Sequence, residues 1–228
     1  MIAITFALPA ESSHLIRLLR DRKRGKRNDV FTICGTIEQR SVEILHTGVG
    51  EKTCRQRMAG FLQDREFECL ISAGFAGALT DELGIGDILH ASNFSTLSPR
   101  EDSDQSIHTG NLYTGQSMID SREERAELAQ RTGAIAIDME TKFIARACAE
   151  HALPMLALRV ISDSPSQRLP APPDVLFNLT KQRTELGRLG AYFLGHPGRV
   201  VSLLRFSRQI ARARKALASA IVNVLPQT

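Results

Sequence analysis

A layered α/β fold is predicted for this 228-residue chain by three observations. Short apolar runs alternate with stretches of helical spacing, several of those runs are apolar on both faces, and no Pro/Ser/Gly-rich tract or internal repeat divides the chain. With 43% hydrophobic and 24% charged residues, the composition is that of a globular protein built on one core. Residues 1–228 are therefore read as a single domain.

Taken in order, "IAITFAL" is a first strand, followed by a helix to about Leu19 and by the charged run "RDRKRGKRND", read as a solvated turn. "FTICGTI" and "SVEILHTGVG" form a strand pair, "CRQRMAGFLQD" is helical, and "FECLISAGFAGAL" is a buried strand ending in a Gly/Ala turn. "IGDILHASNF" adds a strand, and "REERAELAQRTG" is a helix closed by Gly133. "IAID" is a strand, "ETKFIARACAEHA" a helix, and "PMLALRVISDS" a nearly all-apolar strand.

Several function classes are set aside. No run of about 18 apolar residues is present to span a bilayer. The opening "MIAITFALPAE" lacks a basic segment followed by a long apolar one, so no cleaved signal is expected and the location expected is cytoplasmic. Cys34, Cys54, Cys69 and Cys148 are widely spaced, with no CxxC pair and no histidine at zinc spacing, which argues against disulfides and against a metal site. No cofactor is implied.

The formal charge of +4 hides an asymmetry, because residues 175–228 hold nine Lys/Arg and one acidic residue, leaving 20 basic and 24 acidic residues upstream. Nucleic acid is not the expected partner of this tail, since aromatic residues are 5% and no nucleic-acid motif is present. A basic amphipathic helical region is read at about residues 180–222. Within it Leu203, Phe206, Ile210, Ala213 and Leu217 recur at helical spacing, while Arg205, Arg208, Arg212 and Lys215 fall on another side. Two readings stay open for it: a final helix packed on the core with its arginines in water, or a surface meeting anionic lipid at a membrane.

Ligands in α/β folds gather at the carboxyl ends of strands, which turns strand ends into candidates. Glu11 follows the first strand, Gly48 and Gly50 follow "EILHT", Gly74 and Gly77 follow "CLISA", Asp138 and Glu140 follow "IAI", and Asp163 follows "LALRVIS". Four carboxylates and two glycine turns thus converge on one expected cleft. Acidic residues at a helix start also cap it, and that reading stands beside the functional one for Asp138.

The motifs "ALPAES", "HTGVG", "SAGFAGAL" and "IDMET…RVISD", in this order over about residues 1–163, resemble the nucleoside phosphorylase superfamily, in particular the methylthioadenosine/S-adenosylhomocysteine nucleosidases. The resemblance implies a three-layer α/β/α fold with a mixed central sheet, cleavage of a purine nucleoside's N-glycosidic bond by water or phosphate, and assembly as a homodimer or higher homo-oligomer. It makes Asp163 the acid that protonates the departing purine and Glu11 the base that activates water. A carboxyl acting as acid at neutral pH needs a raised pKa, which desolvation and neighbouring carboxylates supply. Glu140 becomes the ribose ligand, with Met139 on the sugar face and Asp138 beside it. Val49, Gly74, Phe75 and Ser162 complete the substrate site by the same resemblance, and "TGQSMID" puts Met118 on the purine face and the Ile119 backbone at its edge.

Water is favoured over phosphate because phosphorylases bring an arginine from the loop matching Glu11 and another at the position matching Ser72, and carry a small hydroxyl residue where Phe75 stands. A phosphate without a guanidinium partner is weakly held. A phosphate-dependent phosphorylase, and a catalytically silent nucleoside- or lipid-binding module narrowed by Phe75, remain the alternatives. The connection over residues 92–117 is shorter than is usual for the family, implying a more open 5′ side. The tail resembles the hopanoid-associated phosphorylase-like subgroup, whose implied substrate is adenosylhopane, an adenosine carrying a triterpenoid at its 5′ side.

Overall fold

The computed structural model describes residues 1–99, 106–167, 169–178, 182 and 185–225. Among these, ten strands form one sheet. Its centre is parallel: β1 (Ile2–Phe6) lies between β4 (Arg40–His46) and β5 (Leu70–Ala78), and β5 pairs with β10 (Met155–Asp163). Its flanks turn antiparallel. β4 is joined by β3 (Val30–Ile37) and then β2 (Arg20–Arg27), while β10 is joined on its other side by β6 (Ile88–Ala91), which carries β7 (Ile107–Gly110) in parallel. The short β9 (Ala136–Asp138) pairs with the end of β5 and with β8 (Leu112–Thr114). The expected mixed central sheet is present.

Period-2 alternation divides the sheet's side chains between two cores. Ala3 and Leu45 face a cluster with Met58 and Phe61 of α2 (Glu51–Leu62) and Ile144 and Cys148 of α4 (Thr141–Glu150). Ile2, Ile4 and Phe6 face the other, with Leu15 of α1 (Pro9–Leu18) and Leu217 and Ile221 of α7 (Val200–Val224). These are the two helical layers. The remaining helices are α3 (Arg122–Thr132), which ends at Gly133 in the left-handed conformation as expected, and α5 (Pro173–Leu176) and α6 (Leu186–Gly195) in the tail. The four cysteines are free, and three are buried.

The sequence reading differs from the structure in two places. The run "RDRKRGKRND" is not a loop: Arg20–Arg27 is the edge strand β2, paired along β3. Its turn explains this, since Asn28 and Asp29 both adopt positive φ (48° and 59°), the geometry of a two-residue hairpin that matches strand twist. The charges suit the place, because a lysine- and arginine-rich edge discourages pairing with another chain. The short strands β7 and β8 fall within the connection that the sequence marks as shortened, of which residues 100–105 lie outside the described residues.

The tail joins the core through the second half of α7. Ile210, Ala213, Leu217, Ala218, Ala220 and Ile221 are buried, while Arg205, Arg208, Arg212 and Lys215 are exposed. Leu217 is fully buried, so Leu217→Ala should lower stability by about 2–5 kcal/mol, the range for deleting a buried leucine. Urea unfolding checks this. A change below about 0.5 kcal/mol, typical of a surface substitution, would show α7 to be a detachable tail.

Candidate active site

One cavity, of about 490 Å³, collects Glu11, Asp138, Glu140 and Asp163. That volume lies in the roughly 300–1,000 Å³ range of small-molecule sites. Val49, Phe75, Met118, Ile119, Met139 and Ser162 also line it. Gly74 lies behind Glu11: a Cβ built on it would stand 3.5 Å from Glu11 Oε1. The residues named from the sequence are therefore brought together, and Phe75 forms a wall without filling the space.

Glu11 sits in the first turn of α1, after Pro9 at a helix start, where the locked φ of proline is favourable. Its Oε2 accepts from Leu8 N (2.9 Å) and its Oε1 from Phe75 N (3.2 Å). Burial pushes its carboxyl above the usual range, against the pull of these two N–H groups and of Arg159.

Asp138 ends β9 and is engaged inside the protein. Oδ1 accepts from Thr114 Oγ1 (2.8 Å), and Oδ2 from Thr141 N (3.1 Å), Arg159 Nε (3.0 Å) and the Thr141 hydroxyl. It satisfies the start of α4, so the capping reading describes its bonds. Glu140, two residues on, accepts from Gly50 N at Oε1 (2.8 Å). Burial first, and the Asp138 charge second, push its carboxyl up to about 8. Gly50 (φ 86°) is the N-cap of α2, so this bond points Glu140 at the positive end of a helix.

Asp163 reaches the cavity at an irregularity in β10, where the pairing to β5 shifts between Ile161 and Asp163; such bulges re-aim side chains beside sites. Ser162 Oγ donates to Asp163 Oδ1 (2.7 Å), and Oδ2 accepts from Arg125 Nη2. Arg125, 1% exposed, also donates to Ala78 O (2.8 Å) and Ile119 O (3.0 Å). The sequence reading, which surrounded Asp163 with apolar groups and carboxylates alone, missed this cation. Gly77 makes room for it: a Cβ there would stand 3.0 Å from Asp163 Oδ2 and 3.4 Å from Arg125 Nη1.

Much of the rest of the cavity is apolar, with Leu176, Phe177, Leu189, Leu203, Phe206 and Ile210 forming one wall. All come from the tail, on α5, α6, α7 and the residue after α5. This is the second thing sequence reasoning missed: the tail supplies one wall of the cavity. Its helical spacing had already put Leu203, Phe206 and Ile210 on one face. Among the described residues no group of three His/Cys/Asp/Glu has metal-holding geometry, and no helix is long and apolar enough to cross a membrane.

A family model described as the phosphorylase superfamily matches residues 96–194. The 5′-methylthioadenosine/S-adenosylhomocysteine nucleosidase of Staphylococcus epidermidis is 26% identical over 196 residues, covering 72% of this chain and 86% of that one. That of Haemophilus influenzae is 25% identical over 195 residues, covering 71% and 85%. The Campylobacter jejuni nucleosidase superposes with a TM-score of 0.71 at 16% identity, covering 98% of this chain and 97% of that one. This chain resembles the phosphorylase superfamily in sequence and in fold. The futalosine hydrolase of Helicobacter pylori shares the fold as well, with a TM-score of 0.69 at 16% identity, covering 98% and 96%.

Glu140 links this site to stability. A carboxyl that holds its proton to about pH 8 when folded, against an ordinary value of 4.5, binds more protons in the folded state between those values. Stability from this group is thus fully present below pH 4.5 and is lost as pH rises to about 8. Gln keeps an oxygen for Gly50 N and cannot ionise, so Glu140→Gln should raise the melting temperature relative to the parent by an amount that grows from pH 5 to pH 8. Thermal unfolding across that range measures it; a pH-independent difference would contradict a buried, reluctant carboxyl.

Proposed function

We propose that this protein is a purine nucleosidase, hydrolysing the N-glycosidic bond of an adenosine derivative to release adenine. The observation that carries the reading is the single cavity holding Glu11, Glu140 and Asp163 at strand ends, in a chain similar to nucleosidases along most of its length.

In this reaction the bond from ribose C1′ to purine N9 stretches first, and its electron pair moves into the purine, whose N7 becomes more basic. Asp163 in its protonated form, oriented by Ser162 and Arg125, donates its proton to N7 and is left as a carboxylate. The sugar becomes cation-like. Glu140 accepts hydrogen bonds from the ribose hydroxyls, and Met139 packs beside them. Water attacks C1′ as Glu11 takes one of its protons, giving the free purine and a sugar with a hydroxyl at C1′. Asp138 acts as a positioning residue, holding the start of α4 and with it Glu140. Contacts that tighten as the sugar flattens lower the barrier instead of merely binding substrate.

Water is the acceptor in this reading because Glu11 puts a carboxylate where a phosphate would stand. Ser72, with its Oγ accepting from Arg159 Nη2 (2.9 Å), is fully buried and adds no cation to the cavity.

The finer substrate we assign is an adenosine with a large apolar 5′ substituent, adenosylhopane being the one that the tail's resemblance implies. The apolar wall of α5, α6 and α7 supports it. So does the outer surface of the tail, where Leu194, Val201 and Leu204 are 86%, 64% and 58% exposed. On α7 the exposed apolar side chains share their helical face with Arg205, Arg208, Arg212 and Lys215, an arrangement suited to an anionic lipid surface. At about 1 kcal/mol for each basic residue near such a surface, binding is reversible and salt-sensitive.

Two experiments test the reading. Adenine release from methylthioadenosine, S-adenosylhomocysteine and an apolar 5′-substituted adenosine, each with and without phosphate, should be phosphate-independent and fastest with the apolar substrate; ribose 1-phosphate among the products would refute hydrolysis. Asp163→Asn should lower turnover by about two to four decades with the fold intact, the loss expected of a positioned acid–base group. For the lipid surface, replacing Arg205, Arg208, Arg212 and Lys215 with Gln should reduce sedimentation with phosphatidylglycerol vesicles and leave hydrolysis of a soluble adenosine unchanged. A parent protein that ignores those vesicles at low salt removes the membrane contact.

A further inference from the structure

Three arginines serve the four carboxylates. Arg125 is engaged by Asp163, Ala78 and Ile119, and Arg159 by Asp138, Ser72 and Thr141. The third, Arg214 of α7, lines the cavity, makes no hydrogen bond or ion pair among the described residues, and has its Nε buried without a partner. A buried guanidinium nitrogen in that condition calls for an explanation. Its place on the helix is not incidental. Leu203, Ser207, Ile210 and Arg214, spaced four, three and four residues apart, all line the cavity, so Arg214 ends the inward stripe instead of joining the outward basic one.

α7 packs on α1, the helix that carries Glu11. Burial lowers the pKa of Arg214, and the charge that opposes this effect is that of Glu11. The other groups facing Glu11 are accounted for. Arg159 of β10 acts on it from beneath, tied to Asp138. Asp138, Glu140 and Asp163 line the same cavity from β9, the start of α4 and β10. His46 of β4 meets Ser12 next to Glu11 (2.7 Å) but is neutral, its pKa lowered to about 4 by burial. Arg214 thus lines the cavity that holds Glu11 and, among the described residues, has no hydrogen-bond or ion-pair partner.

We infer that Arg214 is a positioning residue for hydrolysis: from α7 it shares the cavity with Glu11 and donates a hydrogen bond to the water whose proton Glu11 accepts. The inference rests on the nucleosidase reading above. A water molecule meets both groups at once, accepting from the guanidinium and donating to the carboxylate, with its second lone pair left for C1′. A phosphate dianion would meet the guanidinium but also the Glu11 carboxylate, and like charges repel.

The test follows adenine release from methylthioadenosine between pH 5 and 9 for the parent, Arg214→Gln and Arg214→Lys, with circular dichroism to check the fold. In Arg214→Gln, kcat near pH 6 should fall about tenfold or more with little change in KM, and the acidic limb of kcat should move up by about one pH unit. Arg214→Lys should restore most of that limb. In a Glu11→Gln background, Arg214→Gln should cost almost nothing further, because the two act as a unit. An unmoved acidic limb, or losses that simply multiply in the double variant, would overturn the inference while leaving nucleosidase activity standing. So would a raised KM at unchanged kcat, which makes Arg214 a substrate ligand, or phosphate-stimulated release that disappears in Arg214→Gln, which makes it a phosphate ligand. A parent that releases no adenine overturns both readings.

Discussion

The buried ion pair of Asp138 and Arg159 is what the rest of the site is built on. Both side chains are almost wholly excluded from solvent, and between them they gather β5 through Ser72, β8 through Thr114, β9 and β10 through themselves, and α4 through Thr141. Such a pair adds little stability compared with apolar side chains of the same shape, because desolvating two charges offsets their attraction. What it supplies here is position. Each remaining lone pair and N–H finds a partner, so the strand ends are fixed relative to one another, and removing either member alone would leave a buried charge unmatched.

That fixed charge is also why the neighbouring carboxyl is costly. Glu140 lies two residues from Asp138, buried, with Arg159 committed to Asp138, and is pushed up to about 8 chiefly by desolvation and then by Asp138. Glu11 is raised by burial too. A fold selected for stability alone has no reason to bury two carboxyls that resist ionisation. Perturbed groups of this kind cluster where chemistry is done. The hydrogen bonds from Gly50, Leu8 and Phe75 limit the cost and aim both carboxyls into one cavity. Stability given up at Glu140 is therefore a direct counterpart of its placement.

How much of this was legible in the sequence depends on how each feature is encoded. The central strands were readable because apolar runs with buried faces leave a local pattern, and the four carboxylates because ligand sites follow strand ends. β2 was not, because its eight residues carry no alternation and none is fully buried; its strand character comes from the turn at Asn28–Asp29 and from the backbone of β3. The arginines were hidden for a different reason. Arg159 is a single charge inside "LALRVIS", and a lone charge in an otherwise apolar strand signals a buried partner. Arg125 lies three residues before Leu128, on the buried side of a helix otherwise dense with exposed charge. Arg214 was separable by helical spacing alone, since it falls outside the face shared by Arg205, Arg208, Arg212 and Lys215. In each case the residue type suggested solvent, while its phase along the element pointed inward.

The division of labour along the chain follows from this geometry. Groups suited to bond cleavage sit on strand ends whose positions are locked by the sheet and by the Asp138–Arg159 pair, whereas the apolar wall is supplied by α5, α6 and α7, which come after the last strand. Side chains on that wall can change size without disturbing the strand ends, so substrate shape and reaction chemistry are adjustable separately. α7 carries this furthest. One face closes the cavity and continues into the core through Ala213 and Leu217, while the opposite face shows Val201 and Leu204 followed by a row of basic residues to solvent. Because the wall and the outer surface are two sides of one rigid helix, whatever binds outside lies about one helix diameter, roughly 10 Å, from whatever is held inside. A substrate with a long apolar arm would be met by both.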